Sequence, residues 1–97
     1  MITLKKIFTF LKESNILVDI KTALIPVLEK RVDEIKPIVI MYLRNKTAEL
    51  KEHIIDYIME NIDLPWYLKL FKKGVKKHIN KNFNKILDFT IQSIGIL

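Results

Sequence analysis

The side chains able to do chemistry in this sequence are few, and their spacing limits what they can do. Glu49, His53 and Asp56 recur at four- and three-residue steps, which places them on one face of a helix. Their donor atoms suit a metal, yet the Glu-x-x-His pair from which di-iron bundles build their centres is missing. Outward helix faces commonly carry such residues, so this trio reads as a solvated polar face. His78 stands in another segment, at the border of an apolar stripe, with no ligand spacing to His53. Ser14 and Ser93 are the serines available as nucleophiles, and neither has a strand–turn–helix setting. The two glycines, Gly74 and Gly95, are too few and too far apart for a phosphate-cradling loop. Asp33 and Glu34 sit among lysines and an arginine, which keeps both ionised rather than poised as acid and base. The absence of cysteine removes disulfides, thiolate chemistry and cysteine-ligated zinc together. The expectation is a non-enzymatic protein with no catalytic residues, no cofactor, no metal and no small-molecule substrate.

Lysine placement is the feature that stands above this background. Up to Pro65 the chain carries ten Lys+Arg and ten Asp+Glu, whereas beyond it seven lysines meet one acid, Asp88. The formal net charge of +6 therefore belongs to the last third of the chain. Fifteen lysines against two arginines, with seventeen isoleucines and two alanines, is a bias that AT-rich codon usage produces alone. The number of lysines thus says little, but their position bears on partners.

From Trp66 to Lys81 the residues fall into two sides when turned through about 100° each. Tyr67, Leu68, Phe71, Val75, His78 and Ile79 form an apolar side. Lys69, Lys72, Lys73, Lys76, Lys77 and Asn80 form the opposite one, with Trp66 and Leu70 flanking it. This predicts one cationic amphipathic helix over 66–80, opened by Asp63 as cap and Pro65 in its first turn. Lys69, Lys72, Lys73, Lys76, Lys77, Lys81 and Lys85 are the candidate surface for an anionic partner, with Trp66 as an aromatic anchor. The expected partner is an acidic protein surface, or a second copy offering Glu29, Asp33, Glu34, Glu49 and Glu52. One alternative is an anionic membrane surface, met by an interfacial helix with Trp66, Leu68, Phe71 and Val75 on its apolar side. In composition, without a shared motif, the chain is similar to small lysine-rich, cysteine-free helical bacteriocins, a resemblance that implies lipid binding. The other is non-specific, salt-sensitive nucleic-acid binding, since base reading favours Arg, Asn or Gln and both arginines lie in the neutral part. A fourth outcome is a lysine face that is merely solvated.

The elements that position these residues read as helices throughout. With 97 residues, two glycines and three prolines, the sequence predicts one all-α domain, 1–97, a single compact bundle of five or six helices. Residues 3–13 place Leu4, Ile7, Phe8 and Leu11 inward, and Ser14 or Asn15 follows as a break and cap. Ile16, Leu17, Ile20 and Leu24 continue the pattern up to Pro26, which kinks that helix or opens a new one. After it Val27, Leu28, Arg31, Val32 and Ile35 turn inward, with Lys30 and Glu34 paired outside. Pro37 repeats the punctuation before Ile38–Leu43, the most apolar run and the expected centre of the core. A break at Asn45–Thr47, a helix over Ala48–Asn61 and a loop over Asn61–Pro65 come next. In the last helix, capped by Asn80 or Asn82, Phe83, Ile86, Leu87, Thr90, Ile91, Ile94 and Leu97 share one face. The predicted core is Ile20, Leu24, Leu28, Val32, Ile35, Val39, Leu43, Ile54, Ile58, Phe71, Val75, Phe83, Ile86, Leu87 and Ile94. The longest uncharged run, Phe89–Leu97, is nine residues, against roughly 20 for a membrane-crossing helix. The apolar stretch near Met1 is shorter than the roughly 7–15 residues of a signal peptide, so the N-terminus reads as mature protein, cytoplasmic by default.

Overall fold

Ile20, Leu24, Val27, Leu28, Ile35 and Val39 recur at three-, four- and seven-residue steps, and all six are buried along one side of helix α1, Ile16–Asn45. The computed structural model describes residues 16–95. Among these the chain forms five α-helices and no strand, an all-α bundle. The expected helix over 3–13, the cap at Ser14 or Asn15, and Leu97 lie outside the described residues.

Pro26 and Pro37 both sit inside α1, and neither ends it. A proline lacks the N–H that would bond the carbonyl four residues back, and its ring crowds that carbonyl. Here those carbonyls belong to Thr22 and Asp33, both residues of the exposed side. The helix bends between the prolines instead, at Arg31, whose φ of −125° and ψ of 27° are not helical. Arg31 was expected inward, but its side chain is half exposed and lies 3.4 Å from Glu34. That contact replaces the expected Lys30–Glu34 pair. The Tyr57 hydroxyl closes the same corner, 3.3 Å from the Glu34 carboxylate and 3.4 Å from the Arg31 carbonyl, sharing its proton between them. Burial, and next the Glu34 charge, push the Tyr57 phenol above its usual pKa.

The run Ile38–Leu43 is not the centre of the core. Val39 alone is fully buried there, its neighbours are half-buried, and Met41 is 51% exposed. This end of α1 buries one side only, where the Tyr42 ring meets Phe83 edge-on at 5.2 Å. The chain then turns through Lys46, held at φ 47° with its N–H donating to the Tyr42 carbonyl at 2.6 Å. Thr47 caps α2, Ala48–Asn61, its hydroxyl accepting from the Leu50 N–H at 3.4 Å. Ile54, Ile55, Ile58 and Met59 form the buried side of α2.

The expected single helix over 66–80 is two helices, α3 (Trp66–Lys69) and α4 (Lys72–Lys81). The last turn of α3 tightens, with the Phe71 N–H donating to Leu68 three residues back, and Phe71 takes φ −122° and ψ 45°. The apolar stripe runs straight across this break, so periodicity does not register it. Pro65, not Asp63, holds the cap position of α3, and its carbonyl accepts the Leu68 and Lys69 N–H groups. Asn82 precedes α5, Phe83–Ile94, as expected, but its carboxamide turns back to donate to the His78 carbonyl at 3.0 Å. It closes α4 rather than opening α5.

Phe83, Ile86, Leu87, Thr90, Ile91 and Ile94 are the buried side of α5, as their spacing predicts. Gly95 ends the helix at φ 65°, a conformation open to glycine. Phe89, off that side, is half-buried with the Lys21 ammonium 5.6 Å from its ring centre. Helix α1 packs against α2 and α5, while α4 packs against α2, α3 and α5. Of the predicted core, Val32, Leu43 and Phe71 are half-buried and the rest buried; Val27, Ile55, Met59, Leu64, Leu68, Ile79 and Ile91 join it.

Candidate functional site

Val75 and Ile79 bury one side of α4, and this orients everything else on it. Lys72, Lys73, Lys76, Lys77 and Lys81 face solvent on the remaining side, and Lys69 on α3 and Lys85 on α5 are exposed as well. The backbone runs Lys72 and Lys73 into the first turn of α4 with no acid there and no side-chain cap at Phe71. On α3 the neighbours diverge: Leu68 is wholly buried, while Trp66 and Leu70 are each 61% exposed. The Tyr67 hydroxyl donates to Asp19 at 3.1 Å, tying α3 to the start of α1. Burial and that carboxylate raise the Tyr67 pKa above its usual value.

In three dimensions the lysines are not as uncompensated as the chain order implies. Lys69 lies 3.2 Å from Asp63, and Lys76 lies 3.1 Å from Asp56 on α2. The hydrogen bond that its ammonium donates to Asp56, the Asp56 charge, and then that of Glu52 raise the Lys76 pKa above the usual lysine value. Exposed pairs of this kind contribute little stability, but they lower the local positive potential. Glu52 joins Ile55, Lys73, Lys76, Lys77 and Asn80 around a cleft of about 250 Å³ between α2 and α4. That cleft carries both signs of charge.

A second cleft, of about 330 Å³, opens where α4 meets α5. Its lining is Tyr42, Lys51, Asn80, Lys81, Asn82, Phe83, Asn84 and Lys85, with three ammonium groups and no carboxylate. Lys51 comes from α2 and holds its ammonium 5.2 Å from the centre of the Phe83 ring. Nothing in the sequence marks Lys51 for this place, because it arrives through the packing of one helix beside another.

Glu49, His53 and Asp56 lie along α2 at helical spacing, all exposed, a solvated polar face as their spacing predicts. His53 and Asp56 share a shallow recess with Tyr57 and Glu60, and Asp56 is engaged by Lys76. Among the described residues no group of three or more His, Asp or Glu side chains is placed to hold a metal ion. His78 is half-buried next to Asn82, and burial, then the Lys81 charge, lower its pKa. Among the described residues no helix is long and apolar enough to cross a membrane. Comparison of the chain with family models, with curated proteins and with solved structures gives no match.

Proposed function

We propose that the protein is a non-enzymatic interaction protein that docks an anionic partner, an acidic protein surface or a second copy of itself, through the lysines of α4 and α5. Lys72, Lys73, Lys77, Lys81 and Lys85 carry the docking surface, with Lys69 and Lys76 at its edge against Asp63 and Asp56. One observation supports this most: these ammonium groups are all exposed on helices whose opposite sides are core, so the fold itself holds them on the outside. In a second copy, Glu29, Asp33 and Glu49 are exposed acids that could meet them. Charge complementarity of this kind speeds and orients association, and salt weakens it.

A membrane-surface reading draws on a different observation. Trp66 and Leu70, 61% exposed each, stand beside Lys69 and Lys73 in the manner of an interfacial anchor. The experiment is a Lys72→Gln/Lys73→Gln/Lys77→Gln variant, checked for intact helicity by circular dichroism. Light scattering at low salt reads self-association, and co-sedimentation with phosphatidylglycerol vesicles reads the membrane. The triple variant should lose whichever of these the native protein shows. Equal association before and after would sink the lysine surface, and association with vesicles but not with itself would select the membrane.

A further inference from the structure

The cleft between α4 and α5 gathers Lys51, Lys81 and Lys85 around one space with no carboxylate in its lining. Like charges held together repel, and an anion set among them relieves that repulsion. We infer that this cleft binds a phosphate group, carried by a small phosphate ester in solution or by an anionic lipid headgroup. Each lysine offers three N–H donors, and lysine serves as a point-charge ligand for phosphate. Asn80 and Asn84, both exposed at the cleft, add amide donors. The space, about 330 Å³, is at the small end of ligand sites and ample for a tetrahedral anion. One wall is rigid: Phe83 is 4% exposed, packed against Tyr42, and covered by the Lys51 ammonium. That cover also leaves the Phe83 face closed to a stacking base, so recognition is of the phosphate itself. The neighbouring cleft, with Glu52 in its lining and Asp56 on Lys76, lacks this preference.

The inference deepens the lysine-surface reading, on which it rests through Lys81 and Lys85, and adds Lys51. It is tested by amide NMR titration of the full chain at constant ionic strength, with glycerol 3-phosphate in one arm. Phosphatidic acid vesicles, against phosphatidylcholine vesicles, form the other arm. Saturable shifts should centre on Tyr42, Lys51, Asn80, Asn84 and Lys85. Saturation by the ester assigns a soluble ligand, and a response confined to phosphatidic acid assigns the headgroup. Lys51→Gln/Lys85→Gln should bind roughly tenfold more weakly with its helicity unchanged. With glycerol 3-phosphate the Lys72→Gln/Lys73→Gln/Lys77→Gln variant should titrate like the native protein, which keeps the two ideas apart. Phosphate binding in a protein that docks nothing would leave the cleft standing and the broad surface refuted. Undiminished affinity in Lys51→Gln/Lys85→Gln, or shifts spread over every exposed lysine without saturation, would overturn the cleft.

Discussion

The ammonium of Lys76 on α4 lies 3.1 Å from the carboxylate of Asp56 on α2, so a lysine of the cationic third is partnered by an acid of the neutral part. Together with Lys69 and Asp63, this contact leaves the excess positive charge with Lys72, Lys73, Lys77 and Lys81 on α4 and Lys85 on α5.

Asp56→Asn should therefore tighten binding of any anionic partner to the lysine surface by releasing Lys76. Both side chains are about half exposed, so thermal stability should hardly move. Binding to phosphatidylglycerol vesicles or to an acidic protein at low salt reads the first effect, and the melting temperature reads the second. Weaker binding in Asp56→Asn would mean that the carboxylate, not the ammonium, is what the partner meets.

Leu68 and Trp66 are two residues apart on α3 and should answer truncation in opposite ways. Leu68 is wholly buried, and Leu68→Ala is expected to cost about 2–5 kcal/mol of stability. Trp66→Ala, at 61% exposure, should stay within about 0.5 kcal/mol of the native protein. Urea unfolding of the two variants separates them.

Much of this contrast is legible in the sequence. The spacing of Phe83, Ile86, Leu87, Thr90, Ile91 and Ile94 gives the buried side of α5, and the lysines of α4 come out exposed for the same reason. Periodicity reports which side of a helix is apolar, but not how many neighbours that helix has. Ile38–Leu43 therefore looks like a core centre although one side only is covered. It is equally silent on the break at Phe71, where the stripe continues while the backbone leaves the helix. The prolines mislead in the other direction, because their ring positions fall on the exposed side of α1 and are absorbed. The pairing of Lys76 with Asp56 and the arrival of Lys51 over the Phe83 ring depend on how α2 lies against its neighbours, which no local pattern encodes.

Lys46 is the non-glycine residue with positive φ among the described residues, at 47°. A side chain there is strained by roughly 1–2 kcal/mol relative to the right-handed region, a penalty glycine escapes. Lys46→Gly should raise stability by about 1 kcal/mol, or roughly 4–8 °C in melting temperature for a chain of this size. Calorimetry measures it, and a lowered melting temperature would show that the Lys46 side chain does more for the turn than the strain removes.

His78 should make stability depend on pH. Burial and Lys81 hold its pKa below the ordinary 6.5, so the unfolded chain takes up a proton more readily than the fold does. Its share of stability is whole above about 6.5 and falls as the pH drops below that value. The loss in urea midpoint between pH 7.5 and pH 5 should be smaller for His78→Gln than for the native protein. Equal losses would place the acid sensitivity elsewhere.

The first turn of α4 opens with Lys72 and Lys73 and has neither an acid nor a side-chain cap. Cations at that end oppose the helix dipole, each by about 0.3–1 kcal/mol at low ionic strength. This turn should thus be the first part of α4 to fray, seen as rapid amide hydrogen exchange. Sodium chloride, which loosens most surface electrostatics, should here slow the exchange by screening the mismatch.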